Sequence, residues 1–349
     1  MRTNAKFFPE YSFAIRAISG AYRLAIGQST VTKNNTVAFF PGTEMRKGFP
    51  STVSTKPIPK ARSGKSAWTG NKQAAANNPI MPLVYLLPHG RVPPKGKLNT
   101  LLTSTFIHVR DIDVKGERRL WEQGATTWDA FLSEPDRFAV GCELGKAVRA
   151  VENGSMRLER GEYQYFASRV PKREHWRMFP EFRDSIAYLD IETSGSTRGH
   201  EPITVIGIYD GVEYMPFIKG ENLADFHDAI SHYSVIVTFF GGGFDLPVIK
   251  STFPSIRLDQ IHIDLCPLMR QVGYRGGLKA IERAVGIERS PETAGLNGRD
   301  AVRLWGNYVR GSAASLDRLL AYNREDVVNL EKLMELAYFD MRSMTMVSA

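Results

Sequence analysis

The chain has 349 residues, 43% of them hydrophobic, and a formal net charge of +8. Its length exceeds the usual single domain of about 100–200 residues, so one large domain with additions, or two domains, is expected. No apolar run approaches the roughly 20 residues of a spanning helix, so no membrane partner is expected, and the two cysteines, Cys142 and Cys266, lack metal-ligand spacing and any disulfide framework, as in a reducing, cytoplasmic compartment.

The charge is unevenly divided. Residues 1–80 hold 12 Lys/Arg against Glu10 and Glu44, whereas residues 81–349 hold 33 against 35 Asp/Glu. The basic character therefore belongs to the N-terminal stretch, and the total charge gives no reason to expect a phosphate-attracting field over the rest. Residues 1–97 read as a disordered basic tail, rich in Asn, Ser, Thr, Lys, Pro and Gly, with one short helical pattern near residues 11–25. Such a tail could be an arm for nucleic acid or a targeting peptide. The preferred reading is a mis-assigned start, with Met81 or a later point as the true beginning.

Residues 98–155 read as a small helical region. Glu117-Arg118-Arg119-Leu120-Trp121 forms a short helix ended by Gly124, and Thr127 caps the next. A longer helix is expected over residues 135–151, broken by Asn153-Gly154. These helices could grip a nucleic-acid backbone, or simply bury Trp121 and Trp128. Residues 157–184 interleave aromatics with Arg169, Arg173 and Arg177, a pattern that suits base stacking but more often reports packing.

Residues 156–345 read as an α/β domain. In residues 185–195, strand alternation puts Asp190 and Glu192 on one face and Ala187, Leu189 and Ile191 on the other. Two carboxylates on one face of a buried strand call for a divalent cation. Residues 203–209, the turn Asp210-Gly211 and residues 213–218 complete an antiparallel meander. A helix over residues 222–232 and an unbroken apolar strand over 234–240 follow, the crossover pattern of a parallel pair. Gly241-Gly242-Gly243 then turns the chain, placing Asp245 near a helix N-cap, where capping alone could explain it. A fifth strand ends at residues 262–265, and helices are expected over 278–285, 300–309 and 316–342. In the last, Leu319, Tyr322, Asp326, Leu330, Leu333 and Ala337 share a face. An aspartate inside an apolar stripe is costly without a counter-charge.

Four carboxylates, Asp190, Glu192, Asp245 and Asp326, thus lie at strand ends or on a helix facing the sheet. Asp190-Ile191-Glu192, Phe244-Asp245 and Tyr322-Asn323-Arg324-Glu325-Asp326 together resemble the three motifs of the DEDD exonucleases of the ribonuclease-H-like superfamily. The Tyr-x-x-x-Asp spacing is similar to that of the tyrosine subclass. Across roughly residues 99–340, Glu117 to Gly124, His175-Trp176-Arg177, Leu278-Lys279-Ala280-Ile281-Glu282-Arg283 and the motifs above resemble the YprB-type branch. Two departures stand out. Phe240 and Gly242 or its neighbour replace an Asn and a basic residue, and residues 109–114 lack a glycine-rich hairpin.

The resemblance implies a ribonuclease-H-like mixed sheet of three antiparallel strands plus parallel strands, flanked by helices. It also implies a two-metal hydrolysis of phosphodiesters in nucleic acid with Mg²⁺ or Mn²⁺ on oxygen ligands. Asp190 would bridge both ions, Glu192 and Asp326 would hold the nucleophile-side ion, Asp245 the other, and Tyr322 would orient the attacking water. Thr193, Ser194 and Phe244 are candidate substrate contacts. The function expected is a 3′-to-5′ exonuclease on DNA or RNA ends, with a structure-selective endonuclease or a catalytically silent nucleic-acid-binding module as rivals.

Overall fold

The computed structural model describes residues 100–195 and 202–347, all within one compact unit of the chain that covers residues 79–349. The tail expected over residues 1–97 lies outside the described residues.

The N-terminal part is helical. Helix α1 (Val114–Glu122) starts where the Asp113 carboxylate accepts from Gly116 N at 2.8 Å, and α2 (Trp128–Ser133) where the Thr127 hydroxyl accepts from Ala130 N at 3.1 Å. Each cap satisfies an amide that the first helical turn leaves without a partner. Helix α3 (Leu144–Glu159) corrects the sequence reading, because it begins later and runs straight through Asn153-Gly154. Gly154 is buried, and a Cβ there would lie 3.0 Å from His108 Nε2 and 3.5 Å from the Trp128 ring. The glycine therefore serves close packing rather than termination, and Pro135–Arg137 forms a separate single turn.

Both tryptophans of this region are core residues, Trp121 giving its indole N–H to Ser104 O and Trp128 its own to Thr105 O. The aromatic run that follows is core as well. After α4 (Tyr163–Ala167) and a 3₁₀ stretch (Lys172–Met178), helix α5 (Phe179–Phe182) leads into the sheet. Phe166, Trp176, Phe179 and Phe182 are buried, and Arg177 is buried with them. Arg177 pairs with Glu117 at 2.6 Å and Glu174 at 2.9 Å, while the other Glu117 oxygen accepts from Phe106 N at 2.6 Å. A charge so placed is engaged within the fold rather than offered to a base.

The sheet has five strands in the order β3-β2-β1-β4-β5. Strands β1 (Ile186–Thr193), β2 (Ile203–Tyr209) and β3 (Tyr214–Ile218) are antiparallel, and β4 (Val235–Thr238) and β5 (Ile261–Asp264) add in parallel. Helix α6 (Phe226–Ile230) makes the crossover to β4, and α7 (Asp245–Thr252) the one to β5. Ala187, Leu189 and Ile191 pack in one core with Ile206, Ile208, Phe226 and Ile236. Ile186 and Tyr188 pack in the other, with Leu330, Leu333, Met334 and Tyr338 of the last helix. The alternation expected for β1 thus separates two cores.

Helices α8 (Leu265–Gln271), α9 (Leu278–Ala284), α10 (Gly298–Val309) and α11 (Ala313–Val347) complete the domain. All six residues of the expected stripe on α11, Asp326 included, are buried. No helix among the described residues is long and apolar enough to cross a membrane.

Candidate metal centre

Strand β1 pairs with β4 only from Ile186 to Tyr188 and so runs on past the last parallel partner. Asp190 and Glu192 occupy that overhang, opposite Gly207 and Val205 of β2, and a register shift follows between Glu192 and Thr193. Helix α11 crosses the same face and lowers Asp326 between them. Asp190, Glu192 and Asp326 each present an oxygen within 4.8 Å of the others. Asp245, at the first position of α7, is turned to β1, its Oδ1 accepting from Ile191 N at 3.2 Å.

Crowding buried carboxylates has an electrostatic cost. Burial, and then the charges of Asp326, Asp245 and Glu192, hold Asp190 well above the usual carboxylate range. Burial and Asp326 push Glu192 to about 8, and burial raises Asp245 to about 7. Burial also raises Asp326, against the opposing pull of Lys279 and Arg289. Both cations come from the segment after α8. Lys279 Nζ lies 3.7 Å from Asp326 Oδ1, and Arg289 pairs with Asp326 while its Nε and Nη2 give 2.7 and 2.6 Å bonds to Glu282. Asn329 Nδ2 donates to the same Glu282 at 3.1 Å, which fixes the base of the guanidinium.

The donor set suits a hard divalent cation: every group is a carboxylate oxygen. Glu192 Oε1 is buried with no hydrogen-bond partner. A group of that kind costs free energy unless something positive or a donor reaches it. The residues present therefore fit the ion that their chemistry calls for.

Tyr322 lies one turn before Asp326 and is buried. Its oxygen accepts from Lys279 Nζ at 2.5 Å, with that ammonium 4.4 Å from the ring centre. Burial and the carboxylates hold the phenol above its ordinary range, so it stays protonated at neutral pH. Thr193 ends β1, Ser194 N donates to Pro202 O at 2.9 Å, and Phe244 is 45% exposed beside Asp245.

The residue patterns did not single out Asn323 among the site residues. Its Nδ2 donates to Asp190 Oδ2 at 3.0 Å, and its Oδ1 accepts from Tyr214 OH at 2.9 Å. Gly207 makes room for it, since a Cβ there would overlap Asn323 Oδ1 and lie 3.0 Å from the Tyr214 ring. A glycine inside an otherwise apolar strand was the available signal. Asp264 was equally hidden. Its two oxygens accept from Phe240 N at 2.8 Å and Gly242 N at 3.1 Å, holding Phe240 at φ 66°. A bulky residue in that region costs about 1–3 kcal/mol. The loop holds the Phe240 ring 54% exposed, laid against Gly243, where a Cβ would come within 2.8 Å of it.

Residues 187–338 match the family model RNase_H_2 of the RNase_H superfamily. The fold is ribonuclease-H-like. No curated protein matches the chain. Among solved structures it is similar to the family B DNA polymerase from the hyperthermophilic archaeon Pyrobaculum calidifontis, with 16% identity and a TM-score of 0.34. That similarity covers 44% of this chain and 24% of the polymerase, so the chain spans about a quarter of the polymerase's length.

Proposed function

We propose that the protein is a metal-dependent nuclease that hydrolyses phosphodiester bonds, acting as a 3′-to-5′ exonuclease on single-stranded DNA or RNA ends. The observation that carries this reading is the cluster of half-buried Asp190 with buried Glu192 and Asp326, with an unpartnered oxygen on Glu192, on a ribonuclease-H-like sheet. The YprB-type and tyrosine-subclass resemblance belongs to the same proposal, supported by Tyr322 one turn before Asp326.

Asp190, Glu192 and Asp326 would hold Mg²⁺ or Mn²⁺, with Asp245 beside them. When bound, the ions would stabilise the charge that develops on the attacking and leaving oxygens. The protein's own groups do the positioning. Asn323 occupies one oxygen of Asp190 and so fixes the rotation of that carboxylate. Lys279 donates to the Tyr322 oxygen, which directs the phenol's own proton away from Lys279 and leaves it free to orient a water. The exposed rings of Phe240 and Phe244 offer faces on which terminal bases could stack, and Thr193 ends the strand that carries Asp190, with Ser194 next to it.

Digestion of single strands of DNA and RNA, labelled at either end, with Mg²⁺ or Mn²⁺ tests the reading. A 5′-labelled strand should shorten stepwise while a circular strand stays intact. Cleavage of the circle would replace the exonuclease with an endonuclease, and intact linear strands under all conditions would overturn the nuclease.

A further inference from the structure

One cleft in the protein does not touch the carboxylate cluster. It is a cleft of about 1150 Å³ between the turn of residues 107–112, one face of α3 and residues 162–169. Five cations line it, Arg110, Lys146, Arg149, Arg157 and Arg169, against the carboxylates of Asp111 and Glu162. Residues 81–349 as a whole carry slightly more acids than bases. The concentration is therefore local, not a sample of a basic surface.

The cations are unequally engaged. Arg157 is neutralised by Glu162, and Lys146 pairs with Glu143 at 2.8 Å. Arg110 is exposed and makes no ion pair with any described residue. Arg149 reaches Glu143 only at 4.0 Å, and Arg169 lies over the Tyr165 ring at 4.0 Å with no carboxylate partner among the described residues. Along α3, Lys146, Arg149, Asn153 and Arg157 recur every three or four residues and so form one stripe. Eleven residues of helix span about 16 Å, roughly five nucleotide steps at ~3.4 Å each. At the floor, His108 is held neutral, burial taking it down to about 4, so it adds nothing to the positive charge of the cleft.

Guanidinium groups match phosphate oxygens in shape and charge. We infer that the cleft is a second nucleic-acid contact, in which Arg110, Arg149 and Arg169 hold the sugar-phosphate backbone of one strand apart from the carboxylate cluster. The inference rests on the nuclease reading only for the class of polymer. No base edge is read by a stripe of this kind, so the contact is expected to be indifferent to sequence.

Fluorescence anisotropy of labelled oligothymidylates of four and sixteen nucleotides, on the full chain in EDTA, tests the contact without any cleavage. Each lost phosphate contact should flatten the slope of log affinity against log salt by about 0.7 for a single strand. The double variant Arg110→Gln/Arg149→Gln should bind the 16-mer roughly tenfold more weakly at low salt, with a slope flatter by about 1.4. The double Arg→Lys variant should keep the slope, and Lys332→Gln, on the exposed side of α11, should match wild type. The basic residues 1–80 contribute equally to every protein compared, and melting curves establish that each variant is folded. Unchanged affinity and slope in the double Gln variant would overturn the strand contact. So would equal binding of the two oligonucleotides with inorganic phosphate competing as well as either, which would mark a small-anion site. Neither result touches the nuclease reading, which stands on cleavage with metal.

Discussion

At the scale of single residues, the site sets several acids in close quarters, some of their oxygens held by named donors and Glu192 Oε1 left without one. Tyr322 is the residue whose proposed role separates most cleanly from structure. Tyr322→Phe removes the oxygen that Lys279 holds while keeping the ring that fills the helix–sheet interface. Single-turnover cleavage should slow by roughly 10²-fold, the lower range for a positioned acid–base group, with metal affinity nearly unchanged. A wild-type rate would return Tyr322 to the core. Gly207→Ala makes a different point, because its Cβ would press on Asn323 and through it on Asp190. Overpacking of this kind costs about 1–3 kcal/mol, so the variant should melt earlier and cleave more slowly. A melting temperature and rate equal to wild type would mean that Asn323 is free to swing away.

Elements made the site partly legible in advance. Asp190 and Glu192 could be placed on one face because strand alternation is local, and Asp326 could be placed in a buried stripe because helical spacing is local too. Asn323 was not visible as a partner of Asp190, since that pairing depends on α11 lying over the register of β1 against Gly207. Arg289 sits in a loop with no periodicity and reaches Asp326 only through the fold. Gly154 misled for the same reason, because a glycine that ends a helix and one that admits a neighbouring ring look alike in sequence. The buried pair between α1 and the 3₁₀ stretch gives the element-scale test. Arg177→Met leaves Glu117 charged and unpaired, a loss of about 3–5 kcal/mol, and a second change, Glu117→Gln, should recover much of it. Denaturant melts of both single variants and of the double compare them; a loss in the double equal to the sum of the two single losses would show that the pair has no coupling.

For the whole molecule, the acids make metal-free stability depend on pH. Glu192 and Asp245 titrate higher in the folded protein, at about 8 and about 7, than their ordinary 4.5 and 3.8. The folded state therefore binds more protons than the unfolded state between those limits, and its stability falls as pH rises through them. Melting temperatures in EDTA should drop from pH 5 to pH 8.5. Added Mn²⁺ should raise them more at pH 8 than at pH 5.5, because the ion binds the ionised carboxylates. A flat profile in EDTA would show that the acids are not crowded as described.

The central claim is that Asp190, Glu192 and Asp326 hold a catalytic metal, and the most direct measurement follows Mn²⁺ binding and cleavage of a labelled single strand in one titration, for wild type and Asp190→Asn. Wild type should bind the ion by calorimetry and cleave over the same concentration range. Asp190→Asn should lose both, and it should melt no lower than wild type in EDTA, since one of the repelling charges is gone. Cleavage by Asp190→Asn at the wild-type rate, or by wild type in EDTA, would contradict the assignment.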